Sequence, residues 1–253
     1  KDLTDTFDAM VLRIEEQMGQ MEINMKLELQ LKQQRLEHIK MEKLLQESEM
    51  KALQARINPH FMFNTLNSIA QMAYLEEAPQ TEQMAEAVSD YFRYNLKDIH
   101  HVSTMEEEIK NVKDYVYIQK IRFGDRIDFS LCYDEKAGKG KIPALTLQPI
   151  IENCIIHGLG CCEGKGRVEI SVECGEKDIR ICISDNGRGM EYEKLSAVSA
   201  YLEGKDVQGI QSDSIGLKNV IDRMRVFFDH RFNMTIVSKI DEGTSITITV
   251  PYE

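Results

Sequence analysis

Long apolar runs are missing from this chain: none approaches the roughly 20 residues that a membrane helix needs, and no signal-peptide pattern is visible in it. Proline is scarce, five in 253 residues, and none precedes Pro59. Paired cysteines are missing too. The six thiols, Cys132, Cys154, Cys161, Cys162, Cys174 and Cys182, form no CxxC, which excludes the usual spacing of a zinc site or redox pair. Several alternate within apolar stretches and are expected to be buried free thiols in a reducing cytosol. An excess of basic residues is also absent. A net charge of -11 argues against a general nucleic-acid or anionic-membrane binder.

What is present supports a folded protein. Apolar residues make up 42%, enough for a globular core, and the length suits one large domain or two smaller ones. The first residue is Lys1 rather than methionine, and helical sequence follows at once, so an upstream part is expected to lie outside this chain.

Residues 1–56 hold no proline and one glycine, Gly19. Phe7, Val11, Ile14, Met18, Met21 and Met25 recur in steps of four and three, the seam of a coiled coil. The register blurs around Leu27, Leu29 and Leu31, then resumes at Leu36, Ile39, Leu44 and Leu45. A long helix with one apolar stripe needs a partner, most simply its copy in a homodimer; packing as a surface helix on its own domain is the plainer alternative. Asn58-Pro59 starts or kinks the next helix. On it His60, Asn64, Asn67 and Gln71 form one polar strip, while Phe63, Leu66, Ala70 and Ala73 line another face. Ala78-Pro79 breaks it, and a second amphipathic helix runs to about Lys97. The pair is a helical hairpin, and two hairpins make a four-helix bundle. Thr104-x-x-Glu107 reads as a capping box opening a third helix.

After Gly124 the period changes to two. Residues 127–133, 168–172, 179–183, 232–239 and 244–251 read as strands, "DEKAGKGK" as a loop, and 145–158, 191–203 and 216–229 as helices. Strands split by helices in this order predict an α+β sandwich, one sheet covered by helices on one face. The expected division is a coiled-coil helix over 1–50, a helical dimerisation domain over 51–122 and an α/β domain over 123–253.

Four stretches of the second half can carry chemistry. "SDNGRGM" (184–190) ends a strand in Asp185, and Gly187 and Gly189 follow it; glycines there let the backbone approach a ligand. A carboxylate at a sheet edge suits the exocyclic amine of adenine, although an ordinary loop has the same pattern. "QPIIENCIIHG" (148–158) puts Glu152 and Asn153 on adjacent helix faces, and the Asn153 oxygen can reach a magnesium ion beside phosphates and water; alone it is equally a polar patch. "SIGLKN" (214–219) opens a helix whose amides favour phosphate. "DEGTSITITVP" turns at Gly243-Thr244 into the last strand. In the first half, His60 stands in "INPHFMFNTLN" as core residue, metal ligand or nucleophile, and its own stretch does not choose.

In order and spacing these stretches resemble the sensor histidine kinases of the LytS/YesM-type group. "INPHFMFNTLN" is similar to that group's phosphoacceptor box, "LQPIIENCIIHG" to its asparagine box, "DNGRGM" and "SIGLKN" to its two glycine boxes, and "GTSITITVP" to its closing strand, over about residues 50–253. "KDLTDTFDAM" resembles the last helix of a HAMP signalling domain. The resemblance implies a Bergerat-type (GHKL) ATP-binding domain behind a dimerising helical domain, in the cytoplasmic portion of a membrane-anchored protein whose sensor segment lies upstream. It implies that His60 accepts the γ-phosphoryl group of ATP through a neutral imidazole and passes it to an aspartate of a response regulator. Asn64 shares the face of His60, and Glu152 is the candidate to take the imidazole proton, since Phe61 stands where many such kinases place an acid. Asn153 would hold Mg²⁺, and Asp185 would fix adenine. His157, Gly187, Gly189, Gly216, Leu217, Lys218 and Thr244 would complete the nucleotide site, under a lid at 204–214.

The sequence departs from the family pattern at three positions. Ser212 and Ser214 occupy two glycine positions of the second glycine box, and Ile156 replaces a lysine. These changes predict weaker ATP binding or slower autophosphorylation, with Lys218 or His157 compensating, and they leave a degenerate kinase acting as an ATP-binding scaffold as the alternative. Pro149 stands where related ATPases carry a water-activating glutamate, which disfavours hydrolysis for its own sake.

Overall fold

Pro79 sits in the first turn of a helix, where its missing amide hydrogen costs nothing, and Pro59 likewise opens one. The structure, a computed structural model, describes residues 59–96, 101–159, 165–205, 215–229 and 231–252, with short stretches between 17 and 42. The chain divides into two units, Lys1–Pro59 and His60–Glu253. In the first, every described residue is helical, and Met18, Met21, Met25, Leu27, Leu31 and Met41 are each more than half exposed. The remaining seam residues lie outside the described residues.

In the second unit α1 (Pro59–Leu75) and α2 (Pro79–Asn95) form the expected hairpin. A short strand β1 (Val102–Thr104) leads into α3 (Met105–Phe123). The capping box is present: the Glu107 amide donates to Thr104 Oγ1 at 3.3 Å, and the Thr104 amide to Glu107 Oε2 at 3.4 Å. Thr104→Ala is therefore expected to cost about 1 kcal/mol, read as a lower urea midpoint with unchanged slope; an unmoved midpoint contradicts it.

The sheet contains β2 (Ile127–Tyr133), β4 (Gly166–Cys174), β5 (Asp178–Asp185), β6 (Asn233–Lys239) and β7 (Gly243–Pro251) in the order β2-β4-β5-β7-β6. β2 and β4 run parallel, and every other pair is antiparallel. Alternation puts Val168, Ile170, Val172, Ile179, Ile181, Ile183, Ile246, Ile248 and Val250 on one buried face. Three helices supply the hydrocarbon that covers it: α3 through Ile109 and Val112, α4 (Leu147–Asn153) through Leu147 and Ile150, and α6 (Ile215–Phe228) through Val220, Ile221 and Met224. A fourth helix, α5 (Tyr192–Leu202), adds Val198. This is the α+β sandwich the period changes predict, and α3 shares its core.

Four features differ from the sequence reading. β1 pairs antiparallel with β3 (Lys141–Pro143), and three-residue strands leave no periodic signal. "DEKAGKGK" contains a 3₁₀ turn, Glu135–Lys139, that buries Ala137 and Gly138. The helix expected over 145–158 is α4 followed by a π-helical turn, Cys154–Leu159. Of the four described cysteines, all free, Cys154 is buried and Cys174 and Cys182 are partly so, whereas Cys132 is exposed, because it falls on the outward register of β2.

Candidate functional site

Asp185 ends β5, the central strand, opposite Val168 of β4 and Thr244 of β7. Its carboxylate is half-buried, and three donors brace it: the Gly187 amide at 2.8 Å to Oδ1, the Cys154 thiol and the Thr244 amide. Burial pushes the carboxyl above its ordinary value, and those donors pull it back. Burial and the neighbouring Asp185 hold the Cys154 thiol well above its ordinary value, so it remains a donor. The result is a fixed acceptor at the end of a sheet, the chemistry an exocyclic amine requires.

The turns beside it are set by glycine. Gly243 has φ +99, and a Cβ there would lie 1.9 Å from the Asp185 carbonyl oxygen; Gly189 has φ +70, and a Cβ there would lie 2.0 Å from the Lys239 carbonyl oxygen. At both positions it is another strand of the fold that makes the close approach. The hydroxyl of Ser238 ties this end together. It receives the Met190 amide at 2.8 Å, donates to the Gly243 carbonyl at 3.0 Å and lies 2.8 Å from Thr244 Oγ1. Asn186 anchors the loop to β4 by accepting the Arg167 amide at 2.6 Å. Neither Ser238 nor Asn186 was singled out from sequence; Asn186 lies inside the "DNGRGM" stretch, and Ser238 carries no local signal.

At Gly216 a Cβ would meet, among the described residues, only Pro149 Cβ at 3.8 Å, an ordinary contact. Leu217 is buried in the core. The Lys218 ammonium lies 5.4 Å from the centre of the Tyr201 ring, a cation–π contact. Ile156 is 58% exposed. The side chain of His157, together with Ser212, Ser214 and residues 206–211 of the expected lid, lies outside the described residues.

Glu152 and Asn153 close α4, both half-buried. The Glu152 carboxylate accepts from the Tyr91 hydroxyl at 3.1 Å and from Gln148 Nε2 at 2.7 Å. His60 is exposed on α1, with the Asn64 amide nitrogen 3.4 Å from Nδ1 and 3.3 Å from Nε2. The structure thus brings Asp185, Gly187 and Thr244 together with Cys154, pairs His60 with Asn64, and engages Glu152 with Tyr91 and Gln148. Among the described residues no three His, Cys, Asp or Glu side chains cluster as a metal site, and no helix is long and apolar enough to cross a membrane.

Residues 48–127 match the family described as Histidine kinase, and residues 140–253 the family described as Histidine kinase-, DNA gyrase B-, and HSP90-like ATPase. The chain is 35% identical to Sensor histidine kinase YpdA of Escherichia coli strain K12, over 88% of this chain and 37% of that protein. It is 32% identical to Sensor histidine kinase YesM of Bacillus subtilis strain 168, over 85% of this chain and 35% of that one. It therefore spans little more than a third of the length of these relatives. Among solved structures, the histidine kinase domain of a blue-light activated histidine kinase from Erythrobacter litoralis aligns with a TM-score of 0.43 at 11% identity, covering 77% of this chain and 94% of that one.

Proposed function

The chain belongs to the sensor histidine kinases, and from that premise we propose that it phosphorylates His60 with ATP and passes the phosphoryl group to an aspartate of a response regulator. The observation that carries the reading is the braced Asp185 carboxylate at the end of the sheet, in a chain that also presents an exposed imidazole at His60. Residues 1–50 then form a signalling coil, 51–122 the phosphoacceptor and dimerisation part, and 123–253 the ATP-binding part. Phe61, Ile69, Met72, Tyr74 and Leu75 leave apolar surface open on α1, which supports a homodimer whose hairpins form a four-helix bundle. A membrane sensor segment would lie upstream.

Asp185 accepts the adenine amine, and Gly187, Gly189, Gly216, Leu217 and Thr244 shape the pocket around it. Nothing described in the fold crowds the backbone of Gly216, which leaves its space to phosphate. Lys218, on leaving the Tyr201 ring, or His157 supplies positive or donor character toward the phosphates. Asn153 offers one neutral oxygen, the donor set of a magnesium ion that takes its other oxygens from phosphate and water; when bound, that ion neutralises phosphate charge. A neutral nitrogen of His60 forms the N–P bond as the bond from the γ-phosphorus to its bridging oxygen breaks and ADP leaves. Asn64 orients the ring, and Glu152 takes its proton.

The exposed apolar Ile156 in place of a lysine, and the Lys218 ammonium committed to Tyr201, favour the second reading of an ATP-binding dimeric scaffold. Incubation with γ-labelled ATP and magnesium decides between them. Acid-labile, base-stable label on the chain is the expected outcome. Tight binding of a non-hydrolysable analogue with no label at any time would support the scaffold and overturn the kinase.

A further inference from the structure

Tyr91 and Tyr94 stand one turn apart on α2; Tyr91 reaches α4 directly, and Tyr94 reaches Glu108 of α3. The Tyr94 hydroxyl donates to the carboxylate of Glu108 and lies 2.7 Å from Ser103 Oγ. Glu108, fully buried on α3, accepts the amides of Leu145, Thr146 and Leu147 at 2.7, 2.9 and 2.8 Å. One carboxylate therefore fixes the start of α4 relative to the hairpin. Further along α4, the Tyr91 hydroxyl donates to Glu152 Oε1 at 3.1 Å and accepts from Gln148 Nε2 at 2.7 Å. Gln148 Nε2 also donates to the same Glu152 oxygen at 2.7 Å, and Gln148 Oε1 accepts from Asn111 at 2.7 Å. The Tyr91 ring stacks on Tyr115, with centroids 5.6 Å apart at 24°. Burial and the adjacent Glu152 hold the Tyr91 phenol above its ordinary value, so it stays a donor.

A carboxylate acting as base must aim a free lone pair at the imidazole proton. Here one Glu152 oxygen carries two donors, and the described polar neighbour of the His60 ring is Asn64. We propose that Tyr91 is a positioning residue that, with Gln148, parks Glu152 away from His60, so that the base is released only when α2 shifts relative to α4. This rests on the kinase reading above. Tyr91 belongs to the partner helix of α1, so a displacement of the hairpin is felt directly at this hydrogen bond, the kind of two-position element a signalling input can bias.

The test uses the whole chain and Tyr91→Phe, which keeps the stacked ring and removes only the hydroxyl. Initial labelling of His60 is expected to rise about five- to ten-fold, the worth of one partly exposed hydrogen bond, with the affinity for a non-hydrolysable ATP analogue unchanged. Carbodiimide-driven amine coupling at Glu152, read by mass spectrometry, is expected to increase in the same variant, and adding Glu152→Gln is expected to abolish the gain in rate. An unchanged or lower rate, or a gain that survives Glu152→Gln, overturns the proposal. Wild-type chain labelled at His60 while Tyr91→Phe is no faster defeats the role of Tyr91 alone; wild-type chain that never labels defeats the kinase reading, and the parked base with it.

Discussion

His60→Gln is expected to leave less than about a thousandth of the wild-type phosphoryl label, because no other group in the polar strip replaces the lost nucleophile. The same variant is expected to bind a non-hydrolysable ATP analogue as wild type does. Those two outcomes belong together. His60 is exposed on α1, and its described polar contacts are to Asn64, one turn on; glutamine is polar and of similar reach. Exposed substitutions of this sort change stability by about 0.5 kcal/mol at most, and the Asp185 end of the sheet does not depend on the residue. Loss of label with retained binding and an unmoved thermal transition assigns the loss to chemistry. Label that persists at an unchanged level would remove His60 from the mechanism.

The second large effect falls on the fold. Glu108→Gln is expected to destabilise the protein by about 3 kcal/mol or more at pH 7, lowering the thermal midpoint by roughly 10 °C. The carboxylate accepts three backbone amides at the entry to α4 and meets the Tyr94 hydroxyl. Glutamine offers one acceptor oxygen where the wild type has two, and in either orientation its NH₂ faces at least one backbone amide that can only donate. The dependence on pH has a definite sign. Burial raises the Glu108 carboxyl above its ordinary 4.5, against the pull of the three amides and the Tyr94 hydroxyl, so between the unfolded and folded values the folded chain holds a proton that the unfolded chain has released. The stability it contributes is full below about pH 4.5 and declines as pH rises through the folded value. Glutamine does not titrate, so the gap between wild type and variant narrows with increasing pH. Urea unfolding at several pH values reads this directly, and coincident curves at all of them would refute it.

Much of this architecture is written locally. Ile179, Ile181 and Ile183 alternate, as do Ile246, Ile248 and Val250, and each set is buried on the same face of the sheet. Thr104 and Glu107 announce a helix start three residues apart, and the structure contains the reciprocal cap. The histidine and the Asp185 turn are likewise conspicuous as short strings. What local reading misses lies in partners remote along the chain. Three successive glutamates, Glu106, Glu107 and Glu108, look alike as a charged first turn, yet only Glu108 is fully buried, and its amide partners stand 37 to 39 residues onward. Tyr91 and Glu152 are separated by 61 residues, so nothing near either one forecasts their contact. Leu145 takes a left-handed φ of 59 at the entry to α4, a conformation no neighbouring glycine or asparagine advertises.

The place of β5 in the sheet has a thermodynamic corollary. A strand flanked on both sides by hydrogen-bonded neighbours opens late when a domain loosens, whereas exposed segments with few buried contacts open at lower cost. The carboxylate of Asp185 therefore rides on material that should outlast its surroundings during partial melting. Under the function proposed above, warming is expected to loosen exposed positions such as Ile156 well before it erodes the acceptor offered to an adenine amine.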